Sequence, residues 1–140
     1  MSTDTIADML TRLRNACLAK HRLVKVPLTK ITLNIADIFL QQGFITSCEY
    51  FKIGISQWIL IKLKYKERKK GVQALKNTVP IINSIIRVSK PGRRIYCKVK
   101  KMPRIQNGFG CAVISTSKGI ITDKKARKEN IGGEVLCYIW

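Results

Sequence analysis

A chain of 140 residues with 46% hydrophobic content has room for one domain or two small ones around a packed core, which excludes disorder as its overall state. The 27 Lys and Arg against 8 Asp and Glu leave a net charge of +19, an excess that calls for a polyanionic partner, nucleic acid first and an anionic membrane surface second. No apolar run approaches the length of a spanning helix and no segment has the order of a secretory signal, so the expectation is a soluble protein made where it works.

Residues 5 to 19 carry Ile6, Met9, Leu10, Leu13 and Cys17 at spacings of three and four, which predicts a helix. Asp4 or Thr5 can cap it, and Thr5 with Asp8 fits the S/T-x-x-D/E pattern. Arg14 and Asn15 fall off the apolar stripe, on what is ordinarily a solvated face. Leu23 to Val26 alternates as a strand and stops at Pro27. Thr29 then caps a second helix to about Gln42, with Ile31, Ile35, Ile38 and Phe39 as its apolar face and Gly43 at the left-handed stop. Thr29 and Lys30 stand where helix N–H groups favour an anion, though a plain cap with an exposed lysine explains them as well. Phe44–Phe51 and Gln57–Tyr65 read as antiparallel strands turning near Lys52-Ile53-Gly54.

Lys66 to Gly71 is a charge run that divides the chain into 1–65, a basic linker 66–80, and 81–140. Within the linker, Val72 and Leu75 permit a short helix or a loop. Ile81–Val88 and Arg94–Val99 are β-prone runs flanking Pro91-Gly92, which predicts a hairpin. Arg87, Lys90, Arg93 and Arg94 crowd it beside Tyr96, a pairing of cations and an aromatic that suits irregular RNA; a half-buried strand aromatic is the alternative for Tyr96. Met102-Pro103 and Gly108-Phe109-Gly110 mark a loop with one helical turn. Cys111 to Thr122 then reads as strand, turn, strand, with Ser115, Thr116, Ser117, Lys118 and Gly119 at the turn. Hydroxyls that both donate and accept can bond sugars, base edges and phosphates, although Ser and Thr are also ordinary turn residues. Asp123 caps a short basic helix to about Glu129, and Gly132-Gly133 introduces a last strand, Glu134–Ile139. The fold class is α+β: a two-helix, three-strand layer beside a mainly antiparallel β half with short helices.

Cysteines at 17, 48, 97, 111 and 137 form no C-x-x-C pair, and His21 is the single histidine. Neither a metal site nor a disulfide framework nor a cofactor is expected; buried reduced thiols in a reducing compartment are.

Four segments in order, Ile6–Asn15, Arg87–Tyr96, Cys111–Thr122 and Gly132–Tyr138, resemble the S-eight family of ribosomal small-subunit proteins, of bacterial or organellar type. The resemblance implies a primary rRNA-binding protein that joins an irregular stem in the central domain of 16S rRNA early and helps it fold, alongside neighbouring small-subunit proteins, with no membrane or small-molecule partner. It places Ser115, Thr116, Ser117 and Gly119 against the minor-groove side of that stem, brings the first helix with Arg14 and Asn15 near rRNA, and gives Glu134, after Gly133, the task of holding the serine loop. The chain departs from the family pattern at Thr5, where many members carry Pro, and between Tyr65 and Ile81, which is longer than expected. With that insertion, the excess of lysine over arginine and abundant isoleucine lean towards a plastid ribosome in the stroma over a bacterial cytoplasm.

Two other classes fit the sequence less well. Ser115-x-x-Lys118 matches the string of serine acylases, but the companion S-D-N and K-T-G motifs are missing and the string should open a helix. A non-ribosomal basic protein binding DNA or anionic lipid has no recognition helix or strongly amphipathic cationic helix behind it.

Overall fold

The computed structural model describes residues 4–67 and 78–140. Helix α1 (Thr5–Ala19) starts at Asp4, whose Oδ1 accepts the Ala7 N–H at 3.1 Å, so the cap is Asp4 and not Thr5. Asp8 pairs one turn on with Arg12 at 3.2 Å. Ile6, Met9, Leu10, Leu13 and Ala16 are buried. Strand β1 (Leu23–Pro27) follows, then α2 (Lys30–Gln41). Thr29 and Thr32 cap α2 reciprocally, and the Thr32 hydroxyl also donates to the Pro27 carbonyl at 2.9 Å. Those bonds turn Thr32 inward, so Ile31, expected on the apolar face, is instead exposed beside buried Ile35, Ala36, Ile38 and Phe39.

Strands β2 (Ile45–Ile53) and β3 (Ser56–Leu63) form the expected hairpin, and β3 is central in the antiparallel order β1-β3-β2. Val24 faces Ile61 and Val26 faces Ile59, so one face of the sheet is apolar and meets both helices. Tyr65–Glu67 (β4) and Thr78–Pro80 (β5) pair as a short antiparallel ribbon. Val72, Leu75 and most of the charge run between them lie outside the described residues.

In the second half, β6 (Ile85–Arg87), β7 (Tyr96–Cys97), β8 (Cys111–Thr116), β9 (Gly119–Thr122) and β10 (Gly133–Ile139) make one antiparallel sheet, ordered β6-β10-β8-β9 with β7 also on β10. The hairpin expected between 81–88 and 94–99 is corrected here: β6 pairs with Cys137–Ile139 and β7 with Gly133–Glu134. β10 is buried through Val135, Leu136 and Cys137, so its backbone groups need partners at both edges. The two runs satisfy them in turn along one edge, and the tight turn survives as a Lys90–Arg93 bridge with two 2.9 Å backbone bonds. Single 3₁₀ turns occur at Val99–Lys101 and Gln106–Gly108. Helix α3 (Asp123–Glu129) is capped by Thr122. Asp123, expected as the cap, is buried, accepting the Ala112 N–H at 3.1 Å and the Arg127 guanidinium at 2.8 Å.

A single apolar cluster joins Leu10, Phe39 and Ile61 to Ile85, Val113 and Ile139, so both halves share a core in which each large side chain contributes roughly 1.5–3 kcal/mol. A second cluster, with Ile114, Ile121 and Val135, lies under α3.

Candidate nucleic-acid interface

The β8–β9 hairpin closes between Thr116 and Gly119, which are paired residues. Gly119 sits at φ +107°, a conformation that L side chains rarely adopt, and this lets two residues, Ser117 and Lys118, make the turn fully outside. The Thr116 hydroxyl is turned inward: it donates to the Gly119 carbonyl at 2.8 Å and accepts the Lys118 N–H at 3.2 Å. Ser115 and Thr116 are half-buried, while Ser117, Lys118 and Gly119 are exposed.

β10 comes very close behind this hairpin. A Cβ on Gly133 would stand 2.3 Å from the Ser115 carbonyl oxygen and 3.1 Å from an Ile114 methyl, so no side chain fits there. The approach aligns three strands. Tyr96 on β7 pairs with Glu134 on β10, which pairs with Ser115 on β8, so the three side chains share one face in a row about 10 Å across. Tyr96 is 70% exposed. The Glu134 Oε1 accepts from Arg94 at 3.0 Å, and that bond holds the Arg94 guanidinium more firmly charged than usual.

Around the row, the remaining candidates divide. Lys90 and Arg93 are exposed on a turn pinned by buried Ser89, whose hydroxyl bonds the Ile95 N–H at 2.9 Å and its carbonyl at 3.2 Å. Arg87 turns inward, donating to the Leu136 carbonyl at 2.9 Å and to Asp4 at 3.4 Å. Arg14 and Asn15 are exposed on α1, and one Arg14 nitrogen donates to the Ile85 carbonyl at 2.8 Å. Thr29 is engaged in its cap, and Lys30 is exposed. All four ion pairs among the described residues use an arginine, so lysine dominates the open cationic surface.

Ser115 lies within strand β8, and Lys118 in a hairpin turn; no helix starts there, as an acylase would require. What the arrangement suits is contact with polyhydroxyl and phosphate surfaces. The family model described as "Ribosomal protein S8" matches residues 4–140, nearly the whole chain.

The chain belongs to the ribosomal protein S8 family.

Its relatives include the "Small ribosomal subunit protein uS8c" of Guillardia theta, 51% identical over 140 residues that cover all of both chains, and the protein of the same name from Rhodomonas salina, also 51% identical over the full length of both. The "Small ribosomal subunit protein uS8" of Rippkaea orientalis is 50% identical over 98% of this chain and 97% of its own. Motif order singles out Ser115–Gly119 and Tyr96, and the structure brings Ser115 and Tyr96 onto one sheet. The resemblance implies Glu134 beside the serine loop, but the addition of Tyr96 on the far side of Glu134 has no local signal, because cross-strand register has none. The glycine pair at 132–133 was the one hint of a close approach.

Proposed function

We propose that this chain is a structural constituent of the small subunit of the plastid ribosome, where it binds a 16S-type rRNA stem of the central domain and holds its fold during assembly. The suffix of the uS8c relatives from Guillardia theta, Rhodomonas salina and Pyropia yezoensis denotes the chloroplast form, which supports the compartment. The carrying observation is the row Tyr96–Glu134–Ser115 beside the exposed Ser117-Lys118 turn. An A-form minor groove is wide, shallow and lined by 2′-hydroxyls, so short hydroxyl side chains fit against it. Tyr96 offers an open ring to an unstacked base, and Lys90, Arg93 and Lys118 supply salt-dependent phosphate attraction. Arg94, paired with Glu134, adds a cation beside the row.

The test is a competition assay across salt with a central-domain rRNA fragment, a scrambled RNA of equal length and duplex DNA. The Ser115→Ala/Ser117→Ala protein should lose about tenfold in affinity for the fragment, as expected for two hydrogen bonds, with the other two ligands unaffected. Equal binding of all three ligands, on one salt slope, would leave only generic phosphate attraction.

A further inference from the structure

A groove of about 630 Å³ runs between the second half of α2 and α3, and none of the RNA-contact residues considered above lines it. One wall carries Lys124, Lys125 and Lys128, all exposed and none in a described ion pair. The other is lined by Asn34 and Gln41, both amide residues of α2. Asp37 and Glu129 also line it, and Ile120 and Ile121 of β9 form its floor.

Its position matters as much as its chemistry. β9 begins at Gly119 of the hydroxyl turn and ends at Thr122, where α3 is capped, so the lysine wall starts about 10 Å from the turn. On the other side, Asn34 lies one helical turn beyond Lys30. The groove therefore opens beside the hydroxyl turn and leads away from it.

We infer that this groove holds a single RNA strand leaving the stem bound at the hydroxyl turn, an inference that rests on the rRNA-binding function proposed above. The three lysines face successive phosphates, whereas lysine is depleted in protein–protein interfaces. Ribose 2′-hydroxyls both donate and accept, so they satisfy the amides of Asn34 and Gln41 and donate to the carboxylates of Asp37 and Glu129, which would only repel phosphate. The half-buried Ile120 floor lets a ribose or base edge slide past without specificity.

Two RNAs test it: the central-domain stem alone, and the stem with ten flanking nucleotides of its natural strand on each side. The longer RNA should bind the wild-type protein more tightly and protect Lys124, Lys125 and Lys128 from amine acetylation. The stem alone should leave them reactive. In a Lys124→Gln/Lys125→Gln/Lys128→Gln protein, shown folded by its melting curve, the advantage of the longer RNA should vanish. Its salt slope should become shallower by about 2, from three phosphate contacts at roughly 0.7 each. Binding of the bare stem should not change. Equal affinity of the wild type for both RNAs overturns the inference, as does an equal loss for both in the variant. Protection of the lysines by a polyglutamate peptide but not by the longer RNA overturns it in favour of a protein occupant. Failure of the wild type to distinguish the stem from scrambled RNA is a separate result, and defeats the function itself.

Discussion

The β8–β9 turn and the start of α2 each present hydroxyl residues and a lysine at an edge of the molecule, and they use the hydroxyls in opposite ways. At α2, Thr29 and Thr32 are both consumed in the cap, leaving Lys30 as the open group. At the turn, Thr116 alone is engaged internally, and Ser117 stands in the open next to Ser115 in the row. The difference comes from the backbone. A helix start has four N–H groups without partners and draws in nearby hydroxyls, whereas a hairpin ladder has already paired its own. Similar composition thus yields a fastening in one place and an open hydroxyl edge in the other.

The sharpest way to break the open hydroxyl edge is Gly133→Ala. Its Cβ would press on the Ser115 carbonyl, so β10 must withdraw, at a cost of about 3 kcal/mol in urea unfolding and with loss of stem binding. Gly92→Ala, which meets nothing within 4 Å, should change little. Alkali should undermine the same sheet from beneath. Burial pushes the Cys111 and Cys137 thiols on β8 and β10 up to about 12. Both folded values exceed the ordinary 9.0, so the folded state keeps protons that the unfolded chain releases. Their contribution is whole below pH 9 and is lost as pH rises towards 12, by on the order of 1 kcal/mol per thiol per pH unit. A Cys111→Ala/Cys137→Val protein should show a flatter fall in urea midpoint between pH 8 and pH 10.

A paired substitution then separates the two hydroxyl sites. Thr29→Ala should cost about 1 kcal/mol of stability and less than about twofold in RNA affinity. Ser115→Ala/Ser117→Ala should do the reverse, with stability within about 0.5 kcal/mol. Equal effects of both on binding would erase the contrast. The smallest effect belongs to Lys30→Ala, a change of about 1 in the salt slope with no preference among RNAs.

Much of this was legible locally. The stripe Ile6–Leu13, the Thr29 cap and the serine hairpin announce themselves within a dozen residues, because periodicity and capping are local physics. What was not legible depends on distant partners. Arg87 reads as one more surface cation, yet its guanidinium meets Asp4, 83 residues earlier in the chain. The 81–99 hairpin was the economical reading of two neighbouring β-prone runs, and it failed because the strand that both prefer lies far downstream. The cap of α3 passed from Asp123 to Thr122 for a similar reason: the Ala112 N–H and Arg127 claimed the aspartate. Within the candidate site, residue types and order single out Tyr96 and Ser115, but not the row that joins them.

The placement of β10 has a consequence for synthesis. Among the described strands it is the last to be translated, yet it separates β6 and β7 from β8, and it carries the carbonyl that receives Arg87. A nascent chain that has emerged only as far as α3 holds the serine hairpin but has no backing for it and no Tyr96 alongside. The face proposed for RNA is thereby complete only once β10 has been made, so translation products that stop before Gly133 should lack the proposed binding.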